Sequence, residues 1–171
     1  MALVQATRAG NIEAVRRILA GGVDINRVDD RGCTALHSAS ILGNVDIAKL
    51  LLADRRLDVN KGCTDENNCD SGITALMIAA KRNHVAIVKE LLKHSEINLL
   101  VRGLDGLSPL MIAGHGGHLH VVEALLKAEG IAVNQLNDKG GSALMIMVQN
   151  GHADCVRVML ADERVDRKSV V

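Results

Sequence analysis

Four stretches of this chain can be written one beneath another with their glycines aligned. They are GCTALHSASILGNVDIAKLLL from Gly32, GITALMIAAKRNHVAIVKELL from Gly72, GLSPLMIAGHGGHLHVVEALL from Gly106 and GGSALMIMVQNGHADCVRVML from Gly140. The starts lie 40, 34 and 34 residues apart. A fifth, degenerate copy, AGNIEAVRRILAGGVDIN, opens the chain and matches the second half of the others. A period of this length marks one small unit that cannot bury its own apolar face and must stack on copies of itself.

Each unit reads as a pair of helices. Thr34, Thr74, Ser108 and Ser142 stand just before an apolar helical pattern, where a hydroxyl can cap free backbone N–H groups. Pro109 falls at the first helical position, where a missing N–H costs least. The first helix is short, about two turns, ending near Gly43, Asn83, Gly117 and Gly151. A second follows with apolar residues at helical spacing, as in Val85, Val88, Leu91 and Leu92. Then comes a polar stretch ending at Asn26, Asn60 or Asn134, and a segment rich in Asp, Asn and Gly that reads as a β-turn.

The shared pattern is G-x-[ST]-[AP]-L-[HM]-x-A, then G-[HN]-x-x-x-V, then L-L and D-V-N, and it resembles the ankyrin repeat. The resemblance covers nearly the whole chain. It implies an all-α fold, a solenoid of stacked antiparallel helix pairs with protruding β-hairpin loops. The units are a partial repeat at 1–31, then repeats at 32–71, 72–105, 106–139 and 140–171, forming one domain. Three departures stand out. Only His37 fills the histidine position of the box, Met77, Met111 and Met145 replacing it elsewhere; Leu100 replaces the loop asparagine; and the last unit ends raggedly. In the family that histidine fixes a local hydrogen-bond network, whereas methionine offers only packing.

Composition narrows the function. Twenty basic and twenty acidic residues balance, which argues against an electrostatic grip on nucleic acid or an anionic membrane. There is no Phe, Tyr or Trp, so bases cannot stack on aromatic platforms. No apolar run approaches a membrane span. Cys33, Cys63, Cys69 and Cys155 are too scattered for a disulfide framework, and a reducing, cytoplasmic home is the expectation. No nucleophile, base and orienter stand at a recognisable spacing, and no glycine loop cradles a phosphate. No enzyme activity, cofactor or metal is expected.

Two clusters invite a site. HGGHLH brings together His115, His118 and His120, but without a carboxylate or cysteine at a ligand spacing. His118 also shares its slot with His84, His152, Asn11 and Asn44, so it answers to the repeat and reads as a hydrogen-bonding corner residue. The second cluster is the segment KGCTDENNCDS between Asn60 and Gly72, which contains a six-residue insertion, since Asn60 to Gly72 spans twelve positions where six is the rule. Cys63 and Cys69 there could pair, ligate a metal or remain free, and the loop reads as a lengthened hairpin tip or a partner contact. The carboxy-terminal Ser169-Val170-Val171 has the form of a PDZ ligand.

The resemblance also implies where a partner binds, namely a concave face. Its contact positions flank the repeat glycine and precede the helix corner. Here these positions hold Arg31, Cys33, Ile41, Leu42, Ile73, Lys81, Arg82, Leu104, Leu107 and His115. An aliphatic stripe with cationic neighbours suits an apolar partner segment carrying acidic residues; alternatively the Ile and Leu side chains pack between hairpins. Family members can also be hydroxylated at loop asparagines, and LLADRRLDVN makes Asn60 the matching residue. Its other reading is a turn residue bonding its own backbone. The expected function is therefore non-catalytic binding of a protein partner by a monomeric module, or a regulatory or targeting segment of a larger enzyme or effector.

Overall fold

The hydroxyl caps set the first helix of each unit. The side-chain oxygens of Thr34, Thr74, Ser108 and Ser142 accept the backbone N–H of the residue three further on, at 3.2–3.4 Å. That satisfies one of the N–H groups a helix start leaves unpaired. The computed structural model describes residues 1–63 and 72–166. Among them the helices are α1 (Ala2–Arg8), α2 (Ile12–Ala20), α3 (Ala35–Leu42), α4 (Val45–Leu52), α5 (Ala75–Lys81), α6 (Val85–Leu92), α7 (Pro109–His115), α8 (Leu119–Leu126), α9 (Ala143–Gln149) and α10 (Ala153–Ala161). A short 3-10 turn, Leu104–Gly106, precedes α7.

The helices form two layers. First helices stack in the order α1, α3, α5, α7, α9, and second helices in the order α2, α4, α6, α8, α10. One apolar core runs between the layers from Leu3 to Val165. Its fully buried side chains include Ile47, Leu51, Leu76, Ile87, Leu91, Leu110, Leu125, Leu144 and Met147. Small Ala residues at 35, 39, 75, 79, 113 and 143 let neighbouring first helices approach closely, so the stack closes without aromatic rings. The amino-terminal unit, expected to be partial, has both helices. Its first helix was hidden because MALVQATR lacks the glycine box, and α1 packs on α3 and α2 instead.

Hairpins join the units. Backbone bonds from Asp29 N–H to Cys33 O, Gly103 N–H to Leu107 O and Asn137 N–H to Gly141 O close three of them across four residues. The fourth is closed by Cys63 N–H to Ile73 O, ten residues apart, which places the six-residue insertion between those two residues. Among the described residues the hairpins amount to isolated bridges, Gly62 with Thr74 and Leu136 with Ser142. The interior of the inserted loop, including Cys69, and the carboxy-terminal Ser169–Val171 lie outside the described residues.

Two ladders of polar side chains link successive units. Asn26 donates to Arg56 O and accepts from Asp58 N–H, both at 2.7 Å. Asn60 repeats this with Glu96 O and Asn98 N–H, and Asn134 with Arg164 O and Asp166 N–H. Leu100, exposed to solvent, leaves that rung unmade. The second ladder runs along the helix corners. His84 Nε2 meets Ile41 O, His118 Nε2 meets Lys81 O and His152 Nε2 meets His115 O, at 2.9–3.2 Å. These carbonyls belong to the last turns of the preceding first helices, which lack intrahelical donors.

The corner residues therefore do not share one role. Asn11 and Asn44 accept from Ala14 N–H and Ile47 N–H and cap their own helices. The histidines make no such cap and reach the neighbouring unit. Side-chain length decides the difference: an amide oxygen reaches its own helix, whereas an imidazole extends past it to the next.

Candidate partner-binding groove

The hairpin of the 72–105 unit and the first helices beside it enclose a groove of about 270 Å³. Its apolar lining is Ile73, Leu104, Leu107 and Ile112, with Lys81 and His115 at the helix ends and Asp105 on the hairpin. Local structure places each one. Ile73 follows the repeat glycine and precedes the Thr74 cap, so its side chain turns under the hairpin and is 6% exposed. Leu107 holds the same position one unit later and is half-buried against the core. Leu104 rides on the 3-10 turn and is 46% exposed.

The turn is held from both sides. Asp105 adopts a left-handed backbone, φ 56°, and its carbonyl accepts Asp138 N–H from the next hairpin at 3.0 Å. Arg102 donates to Gly106 O and to the Asp138 carboxylate. These bonds present Leu104 on a fixed backbone. The result is an apolar floor with two cationic or hydrogen-bonding side chains on the helix side and one carboxylate on the hairpin side.

Five of the ten expected contact residues thus converge: Ile73, Lys81, Leu104, Leu107 and His115. Arg31, Ile41, Leu42 and Arg82 are exposed but lie outside this groove. Cys33 is buried, 8% exposed, and faces Cys63 rather than the surface. It sits on the hairpin base, where the backbone N–H is taken by Asp29 and the side chain turns inward. The aliphatic residues divide by burial. Ile73 and Leu107 pack between hairpins, while Ile41, Leu42 and Leu104 stay exposed. Ile112 was missed; it lies in α7 at the position held by Ser38, Ile78 and Ile146 in the other units, whose side chains are buried.

The remaining candidates take structural places. His115, His118 and His120 diverge: His118 reaches Lys81 O, His120 Nδ1 lies 3.1 Å from Glu123 Oε2, and His115 borders the groove. Among the described residues no three histidine, cysteine or acidic side chains are grouped as a metal site. Asn60 bonds the backbone of the next unit rather than its own, and both ends of its amide are occupied. Asp58 makes the local turn instead, accepting Asn60 N–H at 3.1 Å. No described helix is long and apolar enough to cross a membrane.

His37 fixes the hairpin that carries Ile73. Its Nδ1 accepts Thr34 N–H at 3.1 Å, which leaves Nε2 to donate to Ile73 O at 3.2 Å. Burial lowers its pKa from the ordinary imidazole value, in keeping with a neutral ring.

A family model described as ankyrin repeats (3 copies) matches residues 1–65, 57–136 and 95–169. The chain belongs to the ankyrin-repeat family. Similar curated proteins include the putative ankyrin repeat protein YahD of Escherichia coli K12, 32% identical over 121 residues, covering 55% of this chain and 60% of YahD. Ankyrin repeat domain-containing protein 13B of Mus musculus is 35% identical over 94 residues, covering 55% of this chain and 14% of that protein. Palmitoyltransferase ZDHHC17 of Danio rerio is 30% identical over 102 residues, covering 59% of this chain and 15% of that enzyme. The ankyrin chain thus spans less than two thirds of each of these relatives.

Proposed function

We propose that this ankyrin-repeat chain is a non-catalytic protein-interaction module whose partner inserts an aliphatic side chain between Leu104 and Ile112. Acidic residues of the partner segment fall beside Lys81 and His115. The observation carrying this reading is the apolar groove of about 270 Å³ with Leu104 exposed at its edge. A solvent-facing leucine on a bonded, preorganised turn loses little conformational freedom when covered, which favours association. Binding uses no cofactor, and the neutral overall charge leaves recognition to local complementarity.

The test is capture of proteins from cell extract by the folded chain, compared with Leu104→Glu and with Lys127→Glu. Lys127 closes α8 in the second-helix layer, away from the groove. A partner lost with Leu104→Glu and kept with Lys127→Glu supports the groove. If every captured protein survives Leu104→Glu, the groove is not the site.

A second reading has an observation of its own. The match covers only 15% of palmitoyltransferase ZDHHC17, so similar repeats form a small part of a longer enzyme. On that reading the chain directs or regulates an enzyme or effector, and the intact mass of the native gene product decides it.

A further inference from the structure

Cys33 and Cys63 occupy hairpin bases of successive repeats, thirty residues apart in sequence, and their Sγ atoms lie 2.9 Å apart. Both thiols are buried, and both lie near one acceptor, Arg31 O, at 3.6 and 3.3 Å. With Ile73, Met77 and Ile78 they form an apolar cluster separate from the main core, packed against Val101 and Ile112. The sulfur separation is within an ångström of a covalent bond, about 2.05 Å. We propose that Cys33 and Cys63 are a modification site, a thiol pair that a low-molecular-weight disulfide oxidises to a crosslink between adjacent repeats.

The exchange balances in two steps. One cysteine, losing its proton, attacks a sulfur of the reagent disulfide, forming a mixed disulfide and releasing one reagent thiol. The second cysteine then attacks the protein sulfur of that mixed disulfide. The Cys33–Cys63 bond forms and the second reagent thiol leaves with the second proton. Two electrons pass from the cysteines to the reagent.

The surroundings make the first step slow and the second fast. Burial, reinforced by the Cys63 hydrogen bond, pushes the Cys33 thiol up to about 12, so little thiolate is present at neutral pH. Once one sulfur is modified, its partner is already in contact. Cys155, buried in α10, shares the raised pKa but belongs to the other end of the stack. The site sits beneath Ile73 and Ile112, so the crosslink ties the hairpin base under the proposed groove to the preceding repeat.

The experiment incubates the folded full chain with excess oxidised glutathione, blocks residual thiols and maps tryptic peptides without reduction. Cleavage after Arg31, Lys49, Lys61 and Lys81 separates Cys33, on 32–49, from Cys63 and Cys69, on 62–81. The expected product joins these two peptides, exceeds glutathione adducts at Cys33 or Cys63, and persists in Cys69→Ser, which keeps the buried pair intact. Reductant returns the two peptides separately. A Cys63–Cys69 bond within 62–81, or only free and glutathione-bearing Cys33 in the Cys69→Ser chain, overturns the proposal.

Discussion

His84 Nε2 lies 3.2 Å from the carbonyl oxygen of Ile41, across the boundary between two repeats. This bond satisfies a carbonyl in the last turn of α3 and ties two helix corners together. Replacing His84 with Ala costs about 0.5–1 kcal/mol, since water can partly resolvate the carbonyl. His84→Asn costs less, because an asparagine in this slot caps its own helix, as Asn44 does. Urea midpoints of the three proteins check the order. Equal loss for Ala and Asn contradicts the length argument.

Leu100 interrupts the asparagine ladder. By register the Gly130 carbonyl and the Ala132 N–H are the counterparts of the groups that Asn26 and Asn134 bond. Leu100→Asn restores two hydrogen bonds and removes an exposed apolar side chain. Stability rises by about 1 kcal/mol, read as a higher urea midpoint at unchanged slope. A midpoint at or below that of the parent chain contradicts the missing rung.

His37 makes stability depend on pH. Burial lowers its folded pKa, so below about 6.5 the unfolded chain binds a proton that the folded chain resists. The unfolded state then binds more protons, and stability falls as pH drops through that value toward the folded pKa. His37→Met puts in this slot the residue that is fully buried at Met77 and Met111. It loses the bond to Ile73 O, about 1 kcal/mol at pH 7.5, but also this part of the acid slope. Urea midpoints at pH 7.5 and 5.5 for both chains measure it; parallel slopes remove His37 as their cause.

Gly43 ends α3 at φ 72°, and a Cβ there would lie 2.7 Å from the His84 ring. Gly43→Ala therefore combines left-handed strain of about 1–2 kcal/mol with displacement of that ring. In His84→Ala the second part vanishes, so the double mutant is less destabilised than the sum of the singles. Strict additivity in a double-mutant cycle contradicts the contact.

How much was legible follows from what sequence patterns encode. Helix caps at Thr34, Thr74, Ser108 and Ser142, the helical spacing and the hairpin insertion were all readable, because each is a local rule repeated in register. Lys81, Leu104, Leu107, His115 and Ile73 were readable as candidates for the groove, because the resemblance assigns them by position. What failed was orientation. Arg31 and Cys33 are two residues apart, yet one is exposed and the other turns beneath the hairpin toward Cys63.

The sequence by itself determined the unit, its period and the ends of most helices. Tertiary stacking decided which side chains meet between units: His84 with Ile41, Asn60 with Glu96 and Asn98, Cys33 with Cys63. Each pair is separated by at least thirty residues, and one-dimensional spacing carries no angle between units. Such contacts exist only once the cores of neighbouring repeats have packed and brought their hairpins and corners into line.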